Sequence, residues 1–263
     1  MQTQAVIEHI VRWLHDYAGQ ARVKGFIVGI SGGIDSAVVS ALAARTGLDV
    51  LLLEMPIRQQ VEQIDRAQQH IADLQSRFAN VRSLHVDLTP AFNLFADTVD
   101  VNEAEYPAKQ LALANSRARL RMLTLYYYGQ INGLLVTGTG NKIEDFGVGF
   151  FTKYGDGGVD ISPIADLTKT QVYRLAESLN IIEAIQAAVP TDGLWDTERT
   201  DEQQMGASYP ELEWAMDIPA DKQPEDFEGR QREVLAIYRR LNRAAQHKIQ
   251  PIPVCNVPKE WLA

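Results

Sequence analysis

A short apolar run that ends in a loop rich in glycine and serine constrains the fold of this chain more than any other feature. Residues 26–30 read as a buried strand, and residues 37–45 are strong helix formers that stop at Gly47. A second apolar run, 50–53, follows and ends before Pro56. Strand, helix and strand in this order predict a βαβ unit with parallel strands.

The same alternation continues along the rest of the chain. Helices are predicted at 1–19, 64–78, 108–128 and 224–246, and strands at 83–86 and 134–137. We therefore expect an α/β fold, a doubly wound parallel sheet flanked by helices and Rossmann-like, with ligands at the carboxyl ends of the strands. Residues 90–107 interrupt the alternation and predict a short helix plus a loop. Residues 189–219 mix Gly, Pro, Asp and Thr, and we interpret them as a mobile lid.

Composition limits the classes of protein to which the chain can belong. With 263 residues and 46% hydrophobic content, we expect one domain over 1–263. The sequence has no apolar stretch of the roughly 20 residues that a membrane helix needs, and charged residues near its start do not fit a signal peptide. A cytoplasmic protein without a membrane partner is expected. The net charge of −9 argues against nucleic acid as a partner.

The loop that follows the first strand has the composition of a phosphate-binding loop. It supplies six candidate ATP-binding residues: Gly29, Ser31, Gly32, Gly33, Asp35 and Ser36. The glycines let a phosphate approach the backbone N–H groups at a helix N-terminus, the serines add hydroxyl donors, and the aspartate is a hard oxygen ligand for Mg²⁺. No Gly-Lys-Ser/Thr follows, so this is not a Walker loop. The alternative is a glycine turn that only packs the strand on the helix.

Several motifs resemble a known family. The Ser-Gly-Gly-x-Asp-Ser pattern of residues 31–36 resembles the N-type ATP pyrophosphatases, which split ATP into AMP and pyrophosphate while they form an adenylate. Within that superfamily, residues 150–169 are similar to the long signature of NAD synthetases, residues 115–122 to their substrate helix, and Pro190-Thr191 with His247-Lys248 to their lid and tail. The resemblance implies an adenine nucleotide alpha hydrolase-like fold and a carbon–nitrogen ligase. The implied reaction joins ATP, deamido-NAD and ammonia to give NAD, AMP and pyrophosphate.

The resemblance also implies roles for residues around ATP. Asp35 and Glu144 match Mg²⁺ ligands, and Lys169 matches a catalytic lysine that reaches the ATP phosphates. Further ATP-binding positions implied are Gln60, Thr139 and Thr191. The alternative is that Glu144 is a solvated carboxylate at a helix start. The chain is one residue longer than many relatives between Gly138 and Lys153, with Gly140 where several have aspartate, and we expect a bulge to absorb the extra residue.

On the acceptor side, the matched substrate-binding positions are Asn115, Arg119, Lys153, Asp156, Asp160, His247 and Lys248. Lys153 and Asp156 also match catalytic positions, and Asp156 suits the binding of ammonium and removal of its proton. The alternative is a turn aspartate, since Asp-Gly is a common turn pair. Asn115 and Arg119 share one helix face, whereas Arg117 and Arg121 are expected to point elsewhere.

The nitrogen source and the assembly follow from two other features. Cys255 is the sole cysteine and lies in a Pro-rich tail, where we interpret it as a bystander thiol. No glutaminase domain is therefore expected, and ammonia must come from solution or another protein. The run Tyr126-Tyr127-Tyr128 is core by default; the resemblance instead implies a homodimer with deamido-NAD bound between the long helices.

Two other functions stay open. Nicotinate mononucleotide shares the ring, ribose and first phosphate of deamido-NAD, so the same chemistry on it would yield nicotinamide mononucleotide. A non-catalytic nucleotide-binding module would keep the fold without the chemistry. A tRNA-modifying enzyme is disfavoured, because the chain is acidic and lacks both further cysteines and an RNA-binding appendage.

Overall fold

Four parallel strands form the centre of the molecule. The computed structural model describes residues 1–99, 106–191, 193–194 and 199–262. The strands are β1 (Gly25–Gly29), β2 (Asp49–Glu54), β3 (Val81–His85) and β4 (Leu134–Val136), in the spatial order β3-β2-β1-β4. Every neighbouring pair is parallel. The predicted α/β fold with a parallel sheet is confirmed, because each predicted strand is present within two residues of its expected bounds.

Helices surround this sheet. The α-helices are α1 (Thr3–Ala21), α2 (Ile34–Ala44), α3 (Val61–Arg77), α4 (Thr89–Thr98), α5 (Tyr106–Asn132), α6 (Lys169–Ser178), α7 (Glu183–Gln186), α8 (Asp201–Met205), α9 (Tyr209–Asp217) and α10 (Gly229–Ile249). A π-helix spans Lys142–Val148, and 3₁₀ turns span Pro224–Asp226 and Lys259–Trp261. Within the described residues, none of these helices is both long enough and apolar enough to cross a membrane.

Alternate residues of the strands pack on opposite faces of the sheet. Phe26 and Val28 of β1 belong to a core formed with α1, α2 and α6, whereas Ile27 packs on the other face with α4 and α5. Burial of each such side chain contributes roughly 1.5–3 kcal/mol. Because both faces are covered, the strands read as continuous apolar runs rather than alternating ones, as in β2, where residues 50–53 are fully buried.

The two segments that interrupt the alternation have different outcomes. The short helix predicted within 90–107 is α4, and residues 100–105 lie outside the described part of the chain. The second half of the expected lid is helical, because α8 and α9 occupy much of 201–217, and its mobility stays a prediction. Met205 and Leu212 pack there in a core with Val234 and Leu235 of α10. Of the lid's first half, residues 192 and 195–198 lie outside the described residues.

Capping boxes explain why the second half of this segment is helical. The Thr200 hydroxyl accepts from Gln203 N, and the Gln203 side chain accepts from Thr200 N. Both backbone N–H groups at the start of α8 therefore have an acceptor. Ser208 and Glu211 make the same reciprocal arrangement at α9. Such boxes stabilise short helices, which then bury one face against α10.

Candidate active site

A cavity of about 270 Å³ opens at the carboxyl ends of the strands. Its walls come from the loops after β1, β2 and β4, from residues 155–159 and from the start of the predicted lid. Parallel α/β sheets bind ligands at this edge, where the strand order reverses about β1. Eleven of the predicted site residues line it: Gly29, Ser31, Gly32, Gly33, Asp35, Ser36, Thr139, Glu144, Asp156, Lys169 and Thr191.

Two serines stabilise the conformation of the loop between β1 and α2 through hydrogen bonds within the loop. Ser36 Oγ donates to Gly33 O at 3.0 Å, and Gly33 N donates to Ser31 Oγ at 3.2 Å. Gly32 has φ +79°, and a Cβ there would lie 2.5 Å from the backbone oxygen of Gln63 in α3. A side chain at this position is therefore excluded twice, by conformation and by contact. The loop brings backbone N–H groups and the start of α2 to the cavity wall, as a phosphate requires.

Lys169 joins two carboxylates in the cavity wall. It is the first residue of α6, and its side chain is only 3% exposed. Its Nζ lies 2.5 Å from Asp35 Oδ2 and 2.9 Å from Glu144 Oε1. Asn141 Nδ2 donates to the other Asp35 oxygen at 3.2 Å, and the Tyr209 hydroxyl donates to Glu144 Oε1 at 2.6 Å. A buried ammonium is tolerable here because both partners are charged and hydrogen-bonded.

The pKa values of this cluster follow from burial and from the shared ammonium. Burial raises the pKa of Asp35, and Lys169 offsets this only in part. Burial acts in the same direction on Glu144, but the Lys169 ammonium and the Tyr209 hydroxyl together lower its pKa. Burial, followed by the Glu144 and Asp201 carboxylates, raises the pKa of Tyr209. The Tyr209 hydroxyl therefore stays protonated and donates to Glu144.

Asp156 borders the same cavity from the turn at 152–158. Its Oδ1 accepts from Thr152 N at 2.9 Å, and the side chain stays open to the cavity. The turn interpretation and the functional one are thus compatible. Burial raises the pKa of Asp156, and the Glu144 carboxylate adds to this while the Thr152 N–H opposes it. Such a carboxylate accepts a proton more readily than one in water.

The predicted acceptor-binding residues gather beside the cavity rather than in its wall. Thr152 Oγ1 donates to Asn115 Oδ1 at 2.7 Å, and the Arg119 guanidinium donates to Lys153 O at 3.3 Å. Lys153 Nζ donates to His247 O at 2.6 Å. Residues from α5, from the segment after the π-helix and from α10 therefore meet around Thr152 and Lys153.

Lys248 and Asp160 have structural partners within the chain. Lys248 Nζ donates to the carbonyl oxygens of Gly149 and, at 2.6 Å, of Phe151, and burial lowers its pKa. Asp160 Oδ1 accepts from the Tyr126 hydroxyl at 2.9 Å, and its Oδ2 accepts from Val136 N at 2.8 Å. Through these two hydrogen bonds, Asp160 links β4 to α5 outside the cavity wall.

Comparison with known proteins places the chain in a family. The family described as NAD synthase matches residues 6–251. An NH₃-dependent NAD⁺ synthetase of Mycoplasma genitalium is 40% identical over 210 residues, 79% of this chain and 80% of the relative. Another, from Syntrophomonas wolfei subsp. wolfei, is 34% identical over 262 residues, 99% of each. The chain belongs to the NAD synthase family. Among solved structures, NMN synthetase from Francisella tularensis has a TM-score of 0.85 and 30% identity, covering 98% of this chain and 100% of that one.

Two residues of this NAD synthase family member lie elsewhere than expected. Gln60 is exposed at the N-cap of α3, outside the cavity wall, whereas its neighbours Gln59 and Gln63 line it; an ATP-binding role of Gln60 stays a prediction. Gln63 Nε2 donates to Thr191 Oγ1 at 2.9 Å, which connects α3 to the predicted lid. Arg121, expected to point away, instead lines the cavity and donates to Gln59 Oε1 at 2.8 Å. Helical spacing alone does not show which face of α5 meets the cavity.

Three residues of the candidate site in this family member were not predicted from the sequence. Asn141 caps the π-helix by accepting from Ile143 N and Glu144 N, and its amide reaches Asp35. Tyr209 arrives from a helix about 65 residues beyond Glu144 in the chain. Asp145 lines the cavity next to Glu144. The capping box of Ser208 and Glu211 predicts a helix start near Tyr209, but no sequence signal predicts its contact with Glu144.

Proposed function

We propose that this protein amidates deamido-NAD with ammonia through an adenylated carboxylate, releasing NAD, AMP and pyrophosphate. The supporting observation is one cavity that contains a phosphate-type loop, the Asp35–Lys169–Glu144 cluster and Asp156. The first two suit a polyphosphate with its cation, and the third suits ammonium. A non-catalytic nucleotide-binding module would not need a buried cluster of charges beside its phosphate loop.

Asp35 and Glu144 fit a Mg²⁺ site. Their carboxylates already hold a cation, the Lys169 ammonium, at 2.5 and 2.9 Å. Among the described residues, no group of three or more His, Cys, Asp or Glu side chains forms a metal cage. Two carboxylates fit Mg²⁺ nonetheless, since this ion is commonly bound by one or two carboxylates together with substrate phosphates. Bound there, Mg²⁺ would neutralise charge that develops on the polyphosphate.

The first half-reaction forms the adenylate. A nicotinate carboxylate oxygen attacks the α-phosphorus of ATP, the bond to the bridging oxygen breaks, and pyrophosphate leaves. The backbone N–H groups of the loop at 31–36 and the start of α2 stabilise the departing charge without rearranging. The Lys169 ammonium, placed at the end of this loop, adds a fixed positive charge. The chain's main contribution is orientation and electrostatics.

The second half-reaction needs neutral ammonia. Asp156 holds ammonium, takes one proton, and frees the lone pair that attacks the carbonyl carbon of the adenylate. AMP then leaves with the former carboxylate oxygen, and a second proton is released from nitrogen. The adenylate must be kept from water, and residues 189–191, 193 and 194 border the cavity on the side where Thr191 meets Gln63. We propose this segment as the lid.

The acceptor dinucleotide is proposed to lie over the cluster at Asn115, Arg119 and Lys153, next to the cavity. Arg119 suits a phosphate group. The outer face of α5 exposes Leu123, Tyr127 and Ile131, at 61%, 60% and 62%. These side chains recur every four residues and form one apolar stripe, which supports a homodimer that pairs the long helices.

A second acceptor has support from one comparison. The NMN synthetase from Francisella tularensis resembles this chain over nearly its full length. Nicotinate mononucleotide would fill the same ring, ribose and phosphate positions, without the adenosine half.

Turnover on the two acceptors tests the proposal. Purified protein is incubated with ATP, Mg²⁺ and ammonium chloride plus deamido-NAD or nicotinate mononucleotide, and nucleotide products are separated by chromatography. We expect kcat/KM for deamido-NAD to exceed that for the mononucleotide by at least about tenfold. The reverse preference would transfer the assignment to the mononucleotide. Absence of AMP with either acceptor would favour the binding module.

Asp35→Asn is the matched control for this assay. It keeps the size of the side chain while removing a metal ligand and one partner of Lys169. We expect turnover to fall by roughly two orders of magnitude or more, with an unchanged product pattern in any residual activity. Near-normal turnover in the variant would refute the role of Asp35 as a metal ligand.

A further inference from the structure

Asp145 is a cavity residue to which the proposed mechanism gives no role. It lies in the π-helix, one position after Glu144, and borders the cavity together with Asp156 and Phe150. Its backbone N–H donates to Asn141 O at 3.0 Å. Its carboxylate, in contrast, accepts no hydrogen bond and forms no ion pair with any residue that the structure describes. Its half-buried oxygens are therefore available to a ligand in the cavity.

Gly140 explains how this carboxylate reaches the cavity. A Cβ on Gly140 would overlap both Oδ2 and Cγ of Asp145. The backbone of Gly140 is not in the left-handed region, so its conformation accepts a side chain. The three atoms nearest to that Cβ position all belong to the Asp145 carboxylate. Asp145 therefore occupies the space into which a side chain at position 140 would project.

The charges around Asp145 show what kind of ligand fits. Asp156 is the strongest electrostatic neighbour, followed by Glu144 and Asp35, all of them carboxylates. Lys248 is the opposing cation, but its ammonium is committed to the carbonyl oxygens of Gly149 and Phe151. A small cation bound at this end of the cavity would offset the repulsion among these carboxylates.

We propose that Asp145 is an ammonium-binding residue that acts together with Asp156. This rests on the proposed amidation, because ammonium is its nitrogen source. Ammonium has four N–H donors and suits two carboxylates that approach it from different elements, here the π-helix and the turn at 152–158. Asp156 takes the proton, and Asp145 keeps the nitrogen in place while the lone pair becomes free.

Steady-state kinetics on a set of variants test this at fixed pH and ionic strength, with the wild-type activity measured first. In Asp145→Ala we expect the KM for ammonium to rise about tenfold or more, and the KM for ATP to change less than about threefold. Adding Gly140→Asp to Asp145→Ala places a carboxylate in the vacated space. We expect the double variant to restore the KM for ammonium to within about threefold of wild type.

Controls separate this role from a structural one. Asp166→Asn removes a carboxylate whose side chain is 96% exposed and outside the cavity, and it should leave every KM unchanged. Asp145→Asn keeps the shape if the alanine variant folds poorly. An unchanged KM for ammonium in both Asp145 variants would overturn the proposal, as would an altered Mg²⁺ requirement with normal ammonium affinity. If wild-type protein releases no AMP at all, the proposed function fails instead.

Discussion

Gly32 is the single residue on which the phosphate loop most depends. Two independent features exclude a side chain here. The φ of Gly32 is +79°, and a Cβ at this position would lie only 2.5 Å from Gln63 O. We expect Gly32→Ala to lower the free energy of unfolding by about 1–3 kcal/mol and to reduce turnover at least about tenfold, because the loop must shift to relieve the contact.

Gly47→Ala is the matched control for Gly32→Ala. Gly47 has a similar φ of +76°, but nothing lies within 4 Å of its Cβ position. The Gly47→Ala variant should lose about 1 kcal/mol of stability because of the backbone conformation alone, and its turnover should stay unchanged. Urea unfolding and AMP release on both variants check this. Equal effects would show that the contact with α3 does not matter.

His70 predicts a pH dependence of stability. It is fully buried in α3, and its Nε2 lies 2.9 Å from Ser40 Oγ. Burial lowers its pKa from 6.5 to about 4. The unfolded chain therefore takes up a proton below about pH 6.5 that the folded chain refuses until about pH 4, so stability falls as pH decreases through this window.

The size of the His70 effect is measurable by urea unfolding. Between about pH 7 and pH 5 this group should remove about 2 kcal/mol of stability. His70→Gln keeps a hydrogen-bonding group that does not titrate. Over the same pH interval, the stability of this variant should fall by about 2 kcal/mol less than that of the wild type. Parallel pH profiles for the two proteins would contradict the assignment.

At the residue scale, the sequence predicted what local chemistry dictates. Asp35 lies in a loop whose glycines and serines have few other uses, and Lys169 belongs to a long specific motif. The sequence does not show that the Lys169 and Asp35 side chains lie 2.5 Å apart, because this contact depends on the tertiary fold. Tyr209 and Asp145 were not predicted, because a tyrosine at a helix start and an aspartate beside a glutamate look the same whether they face solvent or a ligand.

At the scale of elements, long periodic segments were predictable and short ones were not. The strands and α1, α3 and α5 follow from continuous apolar runs or helical periodicity. The helices α8 and α9 have 5 and 9 residues, too few for periodicity to show, and they depend on capping and on contact with α10. The π-helix at Lys142–Val148 accommodates one residue more per turn than an α-helix, which agrees with the extra residue expected between Gly138 and Lys153.

At the scale of the whole molecule, the apolar stripe on α5 is exposed, because no other part of the described chain covers it. Leu123 and Ile131 are each more than 60% exposed, on the sheet face opposite α1. We expect Leu123→Asp with Ile131→Asp to convert a dimer to a monomer in light scattering and to raise the KM for the acceptor about tenfold, while the KM for ATP stays near wild type. Ala5→Asp, which adds a charge on exposed α1, should leave the mass unchanged. A wild-type monomer with full activity would show that each cavity is complete within one chain, and the stripe would then need another partner.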